Sequence, residues 1–429
     1  MRVLLATQSY PPVLGGLQTA VQALARHFAK NGHAVHVLAN RYPRRLPPFE
    51  LDDGVPVTRI LLLKPKVQYL RIARPDLLLA SLAFYPAALA RMERLIRSFR
   101  PDVVNVHFPD AQIPFVLKMR KRFSFRLVVS LHGHEIKRFF EPAWRAGRHE
   151  PSDKSPHRRA HAAPLAGLKT LLRESDAVTA CSQYLLDQAI AIDRQVAGKG
   201  IAIYNGIDPE RFRDVDPFAW PRPYILACGR LTHSKGFDLL LEAYAQLEDS
   251  CRRADLLIAG SGEERQALRD QAQRLGIQKK VQFLGRVPPS DVVRLLQGCE
   301  FVVAPSREES MGIVMLETLA AGRRLLATDV GGMAEFVRRN RLADSRRNTA
   351  SSGTRSALVR LVEPKVADLS RGLREWLTSD ALPDEAAEDN RILRDFTWSA
   401  VARRFEQVLR GNRLEETEPE PHLLGDRSG

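Results

Sequence analysis

Two carboxylates eight positions apart, Glu309 and Glu317, lie in the stretch PSREESMGIVMLETLAAG, residues 305–322. Glu309 falls in a loop expected to follow a strand. Gly312 is expected to open a helix, with Glu317 inside it. The helix is otherwise almost wholly apolar, which predicts burial. A carboxylate on a buried helix is costly unless something hydrogen-bonds it. Vicinal sugar hydroxyls would do so; an internal arginine or a loop cap is the plainer alternative. The helix start offers free backbone N–H groups and a positive dipole end, both suited to a diphosphate. Arg230 and Lys235, in CGRLTHSKGFDLLLEA, lie five residues apart at an expected strand–loop–helix junction. Two cations held there can grip a phosphate pair, although loop cations are more often simply solvated. Gly15 and Gly16 follow the first expected strand and would let backbone approach a ligand, or merely form a tight turn. GSGEE (260–264) lacks a third glycine, so it misses the dinucleotide fingerprint and argues against an oxidoreductase. In SLHGHE (130–135), His132 follows an apolar strand and can reach a ligand from its carboxyl end. His134 and Glu135 have no companion ligand cluster and read as structural.

These residues need elements to hold them. RVLLA (2–6), HAVHVLA (33–39), DVVNVH (102–107), RLVVSLH (126–132), DAVTACS (176–182) and IAIYNG (201–206) read as short buried strands. Leu17, Val21, Leu24, Ala25 and Phe28 keep helical spacing until Asn31-Gly32 stops them. After the proline-rich linker 212–223 a second series begins: YILACGR (224–230), DLLIAG (255–260), VQFLG (281–285), FVVAPS (301–306) and RLLATD (324–329). Helices are expected at 236–247, from Glu263, from Ser290 and at 312–322. The pattern predicts an α/β protein of two doubly wound parallel-sheet units enclosing a cleft. Ligands of such sheets bind beyond the carboxyl ends of the strands, where the residues above fall. The expected domains are 1–211, 212–395, a helix at 396–411 packing back toward the first, and an acidic flexible tail at 412–429. The polar stretches 138–165 and 338–358 read as loops.

The chain has 429 residues, 44% hydrophobic and 27% charged, with a net charge of +15. That length and composition suit a folded protein of two or three domains and exclude global disorder and disulfide scaffolds. The basic excess concerns partners, not fold. It gathers in 118–126 and 138–173, where Phe139, Phe140 and Trp144 are interleaved, and an anionic membrane surface competes with solvated loops as the explanation. No nucleic-acid recognition motif accompanies it. The four cysteines have no short-spaced pair, which fits a reducing compartment. The start lacks a signal-peptide pattern, and Leu77–Ala90 falls short of the ~18–20 apolar residues of a membrane span. The expected location is cytoplasmic, with peripheral membrane contact.

The order of motifs is more specific than any one of them. A Gly-Gly loop, a strand-end His-Gly, Asn-Gly-Ile-Asp (205–208), G-R-L with K-G five residues on, G-S-G-E, P-S-x-x-E-x-x-G-I-V-x-L-E and V-G-G (330–332) follow one another, with Phe396-Thr397-Trp398 near the end. This resembles the retaining nucleotide-sugar glycosyltransferases of family four, with the GT-B fold, from about Met1 to Gly332. The sequence departs in two places. Met311 stands where the family usually has an aromatic residue. After Glu335 an Arg-rich segment replaces a short turn, with Leu361-Val362 as the displaced strand.

The resemblance implies sugar transfer to an acceptor hydroxyl with retained configuration and no bound metal or cofactor. Arg230 and Lys235 would neutralise the diphosphate. Glu317 would bind the ribose. Glu309, with the backbone N–H groups of Met311, Gly312 and Ile313, would hold the donor sugar. Gly15 and Gly16 would close on the phosphates, and His132 would contact the sugar near the reacting carbon. A nucleoside-diphosphate sugar is the implied donor and a cell-surface glycan or lipid-linked glycan the implied acceptor. A nucleotide-sugar 2-epimerase and a non-catalytic membrane-surface scaffold of the same fold remain as rivals.

Overall fold

The computed structural model describes residues 1–12, 16–63, 75–137, 162–248, 253–340, 358–378 and 390–412. Gly15, Cys251, the acidic tail, most of the two polar stretches, and Phe139, Phe140 and Trp144 lie outside the described residues. The chain forms two compact units, one from residues 1–204 and 401–412, the other from 205–400.

The first unit is an eight-stranded sheet built from β1 (Arg2–Thr7), β2 (Ala34–Asn40), β3 (Phe49–Asp52), β4 (Val55–Ile60), β5 (Val103–His107), β6 (Arg126–Leu131), β7 (Ala177–Ala180) and β8 (Gly200–Ala202). Their order is β3-β4-β2-β1-β5-β6-β7-β8. Every neighbouring pair is parallel except β3 with β4. The apolar runs of β1, β5 and β6 are buried along nearly their whole length, as a sheet covered on both faces requires. The helix Gly16–Lys30 buries Val21, Leu24, Ala25 and Phe28. The β3–β4 hairpin is absent from the sequence reading. Its signal was present: Asp53-Gly54 adopt φ of 51° and 80°, the pair of positive values a tight hairpin turn needs. Residues 162–165, expected in a loop, open the helix Ala162–Glu174. Pro164 fits there because the first helical turn has no acceptor for its missing N–H.

The second unit is a wholly parallel sheet of β9 (Tyr224–Cys228), β10 (Asp255–Ala259), β11 (Val281–Gly285), β12 (Phe301–Ala304), β13 (Arg324–Thr328) and β14 (Val359–Val362). The order β11-β10-β9-β12-β13-β14 is 3-2-1-4-5-6 in the unit's own numbering, the doubly wound arrangement whose direction switches between β9 and β12. Leu361 pairs with Ala327, so the displaced strand is real. The expected helices begin at Phe237, Arg265, Pro289 and Ile313. Ile225, Ile258, Phe301, Phe237, Leu240, Tyr244 and Leu373 form one buried cluster between sheet and helices. Each such side chain contributes about 1.5–3 kcal/mol relative to exposure. The Asn205–Asp208 turn and Phe396-Thr397-Trp398 prove to be partners. The Ile207 N–H donates to the Phe396 carbonyl at 2.8 Å, and the Trp398 N–H donates to the Ile207 carbonyl at 3.0 Å.

Candidate active site

In the second unit β9 ends at Cys228 and β12 at Ala304, so the loops carrying Arg230 and Glu309 leave adjacent strands at the switch point. A backbone contact locks these loops together. Gly236 has φ +66°, and a Cβ there would lie 2.0 Å from the Pro305 carbonyl oxygen. Only glycine allows this approach. The Arg307 N–H donates to the Ser234 carbonyl at 2.8 Å. The Arg307 guanidinium donates to both oxygens of Asp238 at 2.6 Å and to the His233 carbonyl at 3.0 Å. Burial opposes ionisation of Asp238, but Arg307 more than offsets it and holds the carboxyl below its usual range.

Across this junction Lys235 forms an ion pair with Glu309. Ser306 Oγ lies 3.5 Å from the same carboxylate oxygen, and the Gly332 N–H holds the Glu309 carbonyl at 2.9 Å. The V-G-G segment therefore positions Glu309 from a third side. Arg230 is exposed and carries no ion pair with the described residues. Gly312, with φ +81°, caps the helix Ile313–Ala320. A Cβ on Gly312 would press on Glu309 Cγ at 3.2 Å. The first N–H groups of that helix have no acceptor within it.

Glu317, in the next turn, is half-buried, and its carboxylate makes no hydrogen bond or ion pair with the described residues. Burial pushes its pKa up, and nearby Arg211 only partly opposes this. Neither the internal arginine bridge nor the loop cap is found among the described residues. Met311 is buried, and its Sδ accepts the Asn205 N–H at 3.0 Å. Its side chain is thus engaged within the unit, which leaves its backbone as the part able to serve a ligand.

In the first unit His132 leaves β6 next to His107, the last residue of β5. His107 Nδ1 and His132 Nε2 are 3.1 Å apart. The Phe108 ring stacks on His132 with centroids 4.0 Å apart. The His132 backbone N–H donates to the Glu135 carboxylate. Burial drives both imidazoles toward the neutral form, His107 to about 3 and His132 well below the ordinary value.

Residues 14–211 match the sequence profile of Glycosyltransferase Family 4, and residues 209–392 match that of Glycosyl transferases group 1. An uncharacterized glycosyltransferase of Methanocaldococcus jannaschii is 30% identical over 79% of this chain and 83% of its own. The chain belongs to glycosyltransferase family 4. A glycogen synthase of Mycobacterium tuberculosis is 29% identical to this glycosyltransferase over 99% of the chain and 98% of its own. A GDP-mannose-dependent phosphatidylinositol monomannoside mannosyltransferase of the same species is 25% identical over 96% and 98%. Among solved structures, sucrose-phosphate synthase from Thermosynechococcus elongatus superposes with a TM-score of 0.70 at 19% identity, covering 96% of this chain and 99% of that one. That likeness establishes the GT-B fold.

The glycosyltransferase thus takes its sugar from a nucleotide-sugar donor, and its family is retaining and metal-independent. The structure brings Lys235, Glu309 and Gly312 together. Gly16 opens the helix Gly16–Lys30. His107 was missed, although it ends a run, DVVNVH, already read as a strand leading toward the ligand end of the sheet. A polar residue closing a buried strand was the available signal. Among the described residues one group has metal-ligand spacing, with atoms of His233, Asp238 and Glu264 within 4.8 Å of one another. Both Asp238 oxygens already serve the Arg307 guanidinium, so the donor set does not suit a cation.

Proposed function

We propose that this glycosyltransferase moves a hexose from a nucleoside-diphosphate sugar to a hydroxyl of a glycan or lipid-linked glycan. The second unit serves the donor and the first the acceptor. The observation that carries the donor assignment is Glu317, a half-buried carboxylate with its pKa raised and no partner among the described residues. Ribose hydroxyls would supply the missing donors. Arriving phosphates draw Lys235 away from Glu309, so one exchange places a cation on the diphosphate and frees a carboxylate for the sugar hydroxyls. Arg230 adds a second cation. The backbone N–H groups of Met311, Gly312 and Ile313 lie at the helix start, and Gly15 and Gly16 allow close approach to the phosphates. His132 hydrogen-bonds the transferred sugar.

The C1–O bond to the diphosphate breaks, and a C1–O bond to the acceptor forms on the same face. The acceptor proton passes to the leaving phosphate. Negative charge grows on the diphosphate as its bond breaks, and fixed cations stabilise that charge more than the ground state.

The family assignment favours transfer over epimerisation or scaffolding. Radiolabelled donor tests this: a larger product should form only when acceptor is added, with the anomeric configuration of the donor. Label released solely as an isomerised sugar nucleotide would overturn the reading. The names of the two mycobacterial relatives point to a polyglucan and a lipid-linked acceptor respectively, and both classes fit this proposal. The lipid-linked class would place the enzyme at the cytoplasmic membrane face.

A further inference from the structure

We infer that His107 is a positioning residue for His132: its Nδ1–H donates to His132 Nε2 and thereby holds His132 as the Nδ1–H tautomer, a neutral hydrogen-bond donor. The inference rests on the reading that His132 contacts the transferred sugar.

Burial keeps both rings neutral. Two neutral imidazoles joined by one hydrogen bond hold two protons. One lies in the bridge between His107 Nδ1 and His132 Nε2. The other sits on one of the two outer atoms, His107 Nε2 or His132 Nδ1. Both outer atoms are buried and without a hydrogen-bond partner among the described residues.

If His132 were the bridge donor, the second proton would sit on His107 Nε2. His107 is fully enclosed, with the Phe405 ring 6.2 Å from its own. An N–H there has no acceptor among the described residues, and orphaned buried N–H groups are rarer than orphaned acceptors. The strand makes this worse. Asn105 lies two residues earlier on the same face of β5, and its Nδ2 is also buried without a partner. Its Oδ1 already accepts from Ser130, which in turn accepts from Thr179. A proton on His107 Nε2 would add a second orphan donor to this polar strip.

With His107 as the bridge donor, its outer atom is a lone pair and the second proton moves to His132 Nδ1. His132 retains 7% exposure where His107 has none. Both outer nitrogens are enclosed, but the N–H then lies on the ring whose residue keeps some exposure. Stacking on Phe108 holds that ring, and Glu135 accepts its backbone N–H. A neutral donor suits a sugar oxygen, because it contributes a hydrogen bond without a charge that would oppose a cationic sugar carbon.

Nitrogen-15 histidine spectra of the full chain at neutral pH test the tautomer directly, with His132→Gln assigning the signals. The expected result is a protonated Nδ1 and an unprotonated Nε2 on His132. A proton on Nε2 would overturn the proposal. Turnover supplies the second arm. His107→Phe keeps the ring volume but removes the donor, and should lower kcat about tenfold with little change in donor KM. His107→Asn places an N–H near the lost Nδ1–H and should recover most of that rate. Equal losses in the two variants, or none in either, would reduce His107 to packing and overturn its positioning role. Wild-type turnover in His132→Gln would overturn the underlying sugar contact, an outcome on which the wild-type tautomer spectrum does not depend.

Discussion

Glu317 combines a burial penalty in the ligand-free chain with the binding role proposed for it, and these two effects separate by mutation. Its raised pKa means that the folded state is stabler when the carboxyl is protonated. Stability is therefore lost as pH rises through the raised value. Glu317→Gln should raise the melting temperature of the ligand-free enzyme at pH 8, by about 2–4 °C per kcal/mol recovered. The gain should shrink as pH falls toward 4. The same variant, and Glu317→Ala, should weaken donor binding measured by calorimetry, because the proposed ribose contact would exist in both ground and transition states. Unchanged affinity would make the residue structural. Lys235→Ala and Arg230→Ala should each lower kcat by about 10²-fold if each stabilises the leaving group. Near-normal rates in both would remove that assignment. The types and spacing of Glu309, Glu317, Arg230 and Lys235 single them out in the sequence, and the structure brings two of them, Lys235 and Glu309, into contact. That pairing was not legible in the sequence, since it joins residues 74 apart in the chain. The His107 contact was hidden for the same reason: it depends on β5 lying beside β6.

At the scale of elements, the two loops at the switch point act as one piece because Gly236 lets backbone meet backbone. Gly236→Ala would force a Cβ to within 2.0 Å of the Pro305 oxygen in a left-handed conformation. The loops must separate, so the variant should lose donor affinity and melt earlier. Left-handed strain alone costs roughly 1–2 kcal/mol. A wild-type melting curve with wild-type donor affinity would show that the junction is not needed. The strands that carry the site were readable from apolar runs of four to seven residues, since a covered parallel sheet leaves that pattern. Strand ends were read too long. In IAIYNG only the opening residues belong to β8, because the chain then turns to meet Phe396-Thr397-Trp398. That bridge joins segments almost 200 residues apart, and local pattern carries no trace of such pairing. Met311 shows another limit. The sequence marks it as an exception, but only packing reveals that its sulfur accepts the Asn205 N–H.

At the scale of the molecule, the charge of +15 is distributed less freely than the sequence implies. In the basic stretch 118–126, Arg120 bonds both oxygens of Asp176, Arg122 pairs with Glu93, and Arg126 reaches the Val408 carbonyl. Lys118 and Lys121 remain exposed. Any attraction to an anionic membrane would then rest mainly on the basic residues of 138–161. Co-sedimentation with anionic liposomes should fall with rising salt and when Arg145, Arg148, Arg158 and Arg159 are replaced together by Ser. Wild-type protein left in the supernatant at low salt would favour a soluble acceptor. The central claim is that the second unit grips a nucleoside-diphosphate sugar through Lys235 and Glu317. A thermal-shift screen against such sugars tests it most directly, in wild type and in Lys235→Ala and Glu317→Ala. At 100 times its dissociation constant the correct donor should stabilise wild type by about 2.7 kcal/mol, and much less in either variant. No shift with any sugar nucleotide, or equal shifts in all three proteins, would contradict the account.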